Sequence, residues 1–195
     1  GALDGVKIVD LRRMAPGPFC SMMLGDMGAE VIKVEAPPTS RIIASKIIND
    51  AETRKKAASN PLNRNKRSIV LDLKEKDGIK ILHQLCQKAD VFIEGFRPEV
   101  VTRLGCNYET IKEINPSIIY CSISGYGQTG PYKDLVGHDV NYISVGGALG
   151  LIGSKNGTPS IPYNLIADFA AGGMNAAYSI VCALLPVILA TFLPA

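Results

Sequence analysis

The sequence contains no tryptophan and only two histidines, His83 and His138, and its aromatic residues amount to 6%. Its five cysteines, Cys20, Cys86, Cys106, Cys121 and Cys182, form no CxxC pair and no Cys/His cluster. That pattern excludes the usual zinc site and, the number being odd, a simple disulfide framework. A reducing compartment is the matching expectation. Neither GxGxxG nor GxxxxGK[ST] occurs, so the fingerprints of dinucleotide and P-loop ATP binding are missing. A net charge of +3 is too small to argue for nucleic acid as a partner. The first six residues lack the basic-then-apolar pattern of a secretory leader. Charge is also missing from the last 27 residues, 169–195. That length could span a bilayer, but Gly172, Gly173, Asn175, Ser179, Pro186 and Pro194 interrupt it. A buried helix ending near Pro186 is therefore expected, with no membrane as partner.

What is present is an ordinary globular balance: 195 residues, 47% hydrophobic and 20% charged. Such a chain can bury a core without staples. The charge is uneven. Residues 41–76 hold ten Lys/Arg and four Asp/Glu, against a slightly acidic remainder. A basic segment of this kind is either a solvated loop or the footprint of an anionic ligand.

Residues 6–11 (VKIVDL) read as a short buried strand, and Pro16-Gly17-Pro18 opens a helix that Gly28 stops. Residues 31–34 (VIKV) form the next strand, so the first 34 residues make a βαβ unit. The polar stretch 36–65 carries Ile42, Ile43, Ile47 and Ile48, a candidate short helix. Further strands are expected at 68–73, 91–94 and 118–124, with helices at 77–89, 98–104 and 108–114. The alternation predicts an α/β fold with a Rossmann-like, layered and mainly parallel sheet. Nine glycines between 125 and 157 mark a change of texture with little apolar periodicity.

Ligands of open α/β sheets bind at the carboxyl ends of the strands. Four turns qualify here: 12–18, 36–41, 95–97 and 125–130. The basic run Asn63-Arg64-Asn65-Lys66-Arg67 precedes the third strand and so belongs to its opposite end, unless the loop folds back. A second constellation joins Gly137-His138-Asp139 to residues 164–173 (NLIADFAAGG). Asp168 stands near an expected helix start, where a carboxylate is stabilised as the anion, and a plain N-cap is the bland reading of it. His138 lies between polar and glycine residues rather than on an apolar face. A histidine and an aspartate together can serve as a proton-transfer pair.

These residues carry a resemblance. The stretches Ala15-Pro16-Gly17-Pro18, GDMGAEVIKVE at 25–35, NKRSIVLDLK at 65–74, ADVFIEGFRPEVVTRLG at 89–105, SGYGQTGP at 124–131, GHDVNY at 137–142 and 164–173 resemble the family III CoA-transferases. Within them the sequence is most similar to the alpha-methylacyl-CoA racemases. The resemblance implies an α/β large domain over residues 1–185, an acyl-CoA thioester as ligand, no cofactor beyond its CoA moiety, no metal and an interlocked homodimer. It implies that CoA is touched by Ala15 and Pro16, and by the loop residues Asn63, Arg64, Asn65 and Lys66. Gly95, Phe96, Arg97 and Arg103 follow, and then Ser124, Gly125, Tyr126 and Gly127.

Asp168 matches the aspartate that transferases use as nucleophile and racemases use as acid/base. His138 matches the second racemase base. The implied reaction is exchange of the α-proton of a 2-methylacyl-CoA through an enolate, with Gly127 or another backbone N–H as candidate oxyanion donor. Transfer of CoA between carboxylic acids through an anhydride at Asp168 is the alternative. An inactive CoA-binding module and a regulatory partner of longer subunits are two further ones. Two departures from the family pattern stand out. Ala36 occupies a position where arginine is usual, with Arg41 the candidate replacement. Residues 186–195 diverge into an apolar tail where the family continues toward a small domain, so that domain is expected to be absent.

Overall fold

The computed structural model describes residues 1–12, 14–37, 55 and 59–192. The candidate helix around Ile42–Ile48 and the candidate replacement Arg41 lie outside the described residues.

Five parallel strands form one sheet in the order β3-β2-β1-β4-β5. They are β1 (Lys7–Asp10), β2 (Glu30–Glu35), β3 (Lys66–Val70), β4 (Val91–Glu94) and β5 (Ile119–Ser122). Side chains alternate between faces, and both faces are covered. Val9 and Phe92 point into one core with Leu82, Cys86, Val101 and Ile111. These come from α2 (Lys76–Cys86), α3 (Pro98–Leu104) and α4 (Tyr108–Ile114). Ile8, Val91 and Ile93 point into the other core, against Cys20 and Leu24 of α1 (Pro16–Asp26) and Ala177, Ile180 and Leu184 of the last helix. The sequence-based expectation of a layered parallel α/β fold holds.

Local chemistry explains the boundaries. Pro16 sits in the first turn of α1, where its missing N–H costs nothing, and Gly28 takes φ +109° just beyond the helix end. Pro98 opens α3, and Gly105, left-handed at φ +68°, closes it.

Three expectations need correction. The third strand spans Lys66–Val70 rather than residues 68–73, because pairing with β2 (Val31 opposite Lys66, Glu35 opposite Val70) sets its register. A short helix, α5 (Asp139–Val145), lies in the glycine-rich region, where no helix was expected. The last helix, α6 (Asn175–Phe192), does not end near Pro186 but runs through it. Proline removes one i→i−4 hydrogen bond and leaves those on either side, so the helix continues. Nor is α6 wholly buried: Tyr178 and Leu185 are exposed on its outer side. The stretch Leu165–Pro186 is long and apolar enough to cross a membrane by length and composition.

Candidate functional site

The chain order reverses between β1 and β4, because β2 and β3 lie to one side of β1 while β4 and β5 lie to the other. The turns leaving these strands diverge there, at the carboxyl ends where sheets of this kind hold their ligands in a crevice. Ala15 and Pro16 follow β1, Gly95, Phe96 and Arg97 follow β4, and Ser124, Gly125, Tyr126 and Gly127 follow β5. The fold thus brings together three of the turns assigned to CoA. Arg97 is exposed at this mouth, with its Nη1 3.4 Å from the carbonyl of Asp134. Arg103 is exposed on α3.

The basic run is divided. Arg64 pairs with Asp26 at the far end of α1, at 2.9 Å from Nε, and Asn65 donates to the same carboxylate at 2.7 Å. Asn63 accepts from Lys33 Nζ at 3.3 Å. An 11-residue helix separates the Asp26 contacts from the Ala15-Pro16 turn, about 16 Å at 1.5 Å per residue, whereas Asn63 meets Lys33, which pairs in register with Asp10 at the carboxyl end of β1. Lys66 points inward. Its side chain is 2% exposed, and its Nζ donates to Ser21 Oγ at 2.7 Å and to the Pro18 carbonyl at 2.8 Å, 3.8 Å from Asp10.

Asp10 and Lys66 form a buried ion pair beneath the first turns of α1. Burial pushes the Asp10 carboxyl up, against the opposing pull of its hydrogen bond from Ser21 and the Lys66 charge. Burial also pulls the Lys66 ammonium down to about 8, with attraction to Asp10 opposing. Glu94, at the end of β4, is raised by burial as well and accepts from the Phe96 N–H at 2.7 Å.

The second constellation assembles on two neighbouring helix starts. His138 is the N-cap residue of α5, exposed, with its N–H donating to Asn141 Oδ1 at 2.9 Å. Tyr142, one turn on, donates its hydroxyl to the Gly137 carbonyl at 2.5 Å. Its ring fills the space a side chain at Gly125 would need, since a Cβ there would lie 2.2 Å from the ring. Asp168 lies in the first turn of a π-helical segment, Leu165–Met174. That segment packs on α1: the Phe169 and Phe19 rings meet edge to face at 5.0 Å, and Gly173 lies against Pro16.

Asp168 is not the cap of its own helix. That task falls to Asp139, whose Oδ2 accepts from the N–H of Ala167 at 2.7 Å and of Asp168 at 2.8 Å. Asp139 is 2% exposed. The neighbour of one proton-transfer candidate thus holds the backbone of the other. Beside Asp168 stands Asn164, its Nδ2 3.4 Å from Oδ2. Burial followed by the nearby Asp168 charge raises the Tyr142 phenol. The roles of Asp139 and of Arg12, buried after β1, were not visible in the sequence. A polar residue beside a candidate site signals burial only once the fold is known.

Residues 3–187 match the family described as CoA-transferase family III. The chain belongs to that family. It is 42% identical to human alpha-methylacyl-CoA racemase over 183 residues, 94% of this chain and 44% of the racemase. It is 43% identical to human succinyl-CoA:glutarate CoA-transferase over 173 residues, 87% of this chain and 39% of that protein. A CAIB/BAIF family protein from Brucella suis has the same fold, with a TM-score of 0.78 and 33% identity over 93% of this chain and 48% of that one. The chain therefore spans less than half the length of these relatives. The similar identities to a racemase and to a transferase leave the reaction to be argued from the site.

Proposed function

We propose that this chain carries the acid/base half-site of an acyl-CoA racemase acting on 2-methylacyl-CoA thioesters. The observation that supports this is the pairing of a histidine and an aspartate on two helix starts joined through Asp139. A thioester α-proton is weakly acidic, so its exchange needs a base on one face and an acid on the other. In one direction His138 takes the proton, the C–H electrons move into the carbonyl to give the enolate, and Asp168, protonated, delivers a proton to the opposite face. The reverse direction exchanges the roles.

The enolate oxygen needs donors. The Ala167 and Asp168 N–H groups are already engaged by Asp139, so they are not free for it. Asn164 Nδ2, beside Asp168, and the N–H of Gly127, at φ +82° in the exposed turn after β5, are the donors assigned here. The CoA moiety is assigned to the crevice, its phosphates to Arg97 and Arg103 and its remaining contacts to Ala15, Pro16, Phe96 and residues 124–127. A second copy of the chain is assigned as partner, on the exposed apolar side chains of Val136, Leu151, Ile161 and Tyr163.

The second reading is CoA transfer, in which the Asp168 carboxylate attacks the thioester carbonyl, releases CoA thiolate and is left as a mixed anhydride. The 43% identity to a CoA-transferase favours keeping it in view. Incubation of the full chain with one epimer of a 2-methylacyl-CoA in D₂O separates the two. Deuterium at the α-carbon without any added carboxylic acid is expected. Transfer of CoA to an acceptor acid, with a hydroxylamine-sensitive adduct at Asp168 and no α-deuterium, would establish the transferase instead.

A further inference from the structure

Glu94 is a carboxylate at the end of an otherwise apolar strand. It follows Val91, Phe92 and Ile93 in β4, all fully buried, and is itself 1% exposed. Glutamate is seldom buried so fully without a partner. A partner here is the main chain: its Oε2 accepts from the Phe96 N–H at 2.7 Å. The chain leaves the sheet at Gly95, so beyond that point its N–H groups have no neighbouring strand to pair with. A side-chain oxygen from two residues back takes over that task for Phe96.

The main chain of Glu94 is tied as well. Its carbonyl accepts from the Ile123 N–H at 2.9 Å, which joins the end of β4 to the end of β5. The Ile123 carbonyl in turn accepts from Arg12 Nη1 at 2.5 Å. Arg12 leaves the end of β1, is 8% exposed and has its N–H on Asp10 Oδ1 at 2.8 Å. Its side chain runs in a sleeve that only glycine permits. A Cβ at Gly95 would lie 1.1 Å from Nη1, and one at Gly17 would lie 2.1 Å from Cγ.

The turn after β4 is thus held twice, at Gly95 by its fit against Arg12 and at Phe96 by the Glu94 carboxylate. The Phe96 ring is half-buried against the core beneath α2, α3 and α4. The next residue, Arg97, is the N-cap residue of α3 and stands exposed at the mouth of the crevice. Its direction is set by the turn before it and by Pro98 after it, whose φ is fixed.

We propose that Glu94 is a positioning residue for CoA binding: by holding the Phe96 N–H it sets the turn from which Arg97 meets the CoA phosphates. This rests on the reading of Arg97 as a CoA contact. Glu94 lies inside the protein, so it acts through the turn and not on the ligand. A turn ordered before the ligand arrives spares binding the cost of ordering it.

The test is calorimetry of acetyl-CoA on the full chain with Glu94→Met, Glu94→Gln and Arg97→Met, and with each Glu94 variant combined with Arg97→Met. Glu94→Met fills the buried place without an acceptor, and Glu94→Ala serves where it fails to fold. Glu94→Met is expected to raise Kd about tenfold in the native background and less than about twofold beside Arg97→Met. Glu94→Gln, which keeps an oxygen for the Phe96 N–H, is expected to stay within about threefold of the native value. Hydrogen exchange should quicken at the Phe96 N–H in Glu94→Met and stay slow along β4. Equal losses of affinity in both backgrounds, or native affinity in Glu94→Met, would overturn the proposal in favour of a purely structural carboxylate. Native affinity in Arg97→Met would instead overturn the reading of Arg97 itself, and this proposal with it. The Arg97→Met protein therefore tells the two failures apart, and neither measurement needs racemase activity.

Discussion

Asp139 Oδ2 lies 2.8 Å from the backbone nitrogen of Asp168, and this contact fixes one candidate acid/base by the neighbour of the other. The same oxygen holds the N–H of Ala167, so a single buried carboxylate closes two donors at the start of the segment that carries Asp168. The N-terminal end of that segment would otherwise present unpaired N–H groups inside the protein.

Asp139→Ala is expected to cost about 1–3 kcal/mol of stability, because buried donors lose their acceptor. It should also lower kcat by about 10²-fold through misplacement of Asp168. Asp139→Asn keeps a carbonyl oxygen and should fall between the two. Urea unfolding and the exchange assay measure both effects. An Asp139→Ala protein with native rate would remove the proposed link between the helix starts.

Lys66→Met should be far more damaging than a surface substitution, since it leaves Asp10 buried without its cation. The expected loss is about 3–5 kcal/mol. Lys66→Met combined with Asp10→Asn should regain much of it, and Arg103→Met, at an exposed site, should change stability little. Denaturant midpoints for the four proteins decide this. A loss on Lys66→Met no larger than on Arg103→Met would mean that the buried pair does not support the fold.

Stability should fall as pH rises above about 9. Burial lifts the thiols of Cys86 and Cys106 to about 12 and that of Cys121 to about 11, and raises Cys20 as well, from the ordinary thiol value of 9.0. Between these values the folded chain keeps protons that the unfolded chain releases. Each thiol then contributes stability that is present below its unfolded pKa and lost above it, about 1.4 kcal/mol per pH unit. Lys66 acts in the opposite sense. Its folded value of about 8 lies below 10.5, so the unfolded chain holds the extra proton and stability gains one proton's worth across that window. The thiols outnumber it. Urea midpoints from pH 8 to 10.5 under a reductant should decline, more steeply in Lys66→Met and less steeply in Cys86→Ala. A flat profile would contradict the burial of the thiols.

Gly95→Ala should destabilise by about 1–3 kcal/mol or more, because its Cβ would overlap Arg12 Nη1 at 1.1 Å. In an Arg12→Ala background the same substitution should cost much less, since the sleeve is then empty. Equal costs in both backgrounds would show that Gly95 is needed for its own backbone alone.

The chain is expected to self-associate in solution. Leu151 is 90% exposed, Tyr163 83% and Val136 79%, large apolar side chains that a second copy of the chain would cover. Light scattering after size-exclusion chromatography checks this. A monodisperse monomer would contradict it.

Local chemistry in the sequence determined much of this protein. Pro98 and Gly105 bound α3 wherever it packs, because one presets φ and the other accepts a left-handed turn. The apolar run at Val91–Glu94 is a central strand in any layered fold that buries it on both faces. The motifs at 15–18, 95–105, 124–131, 137–142 and 164–173 carried the family resemblance and with it Asp168 and His138. Tertiary structure decided the rest. The register of β3 came from its pairing with β2, which no pattern within residues 66–73 encodes. The helix start at Asp139 and the passage of α6 through Pro186 depended on contacts remote in the chain. Lys66 read as a CoA contact, and Arg12 stood in a candidate turn with no role of its own. A cation's partners follow from what surrounds it after folding, and in these two cases burial placed carboxylates there.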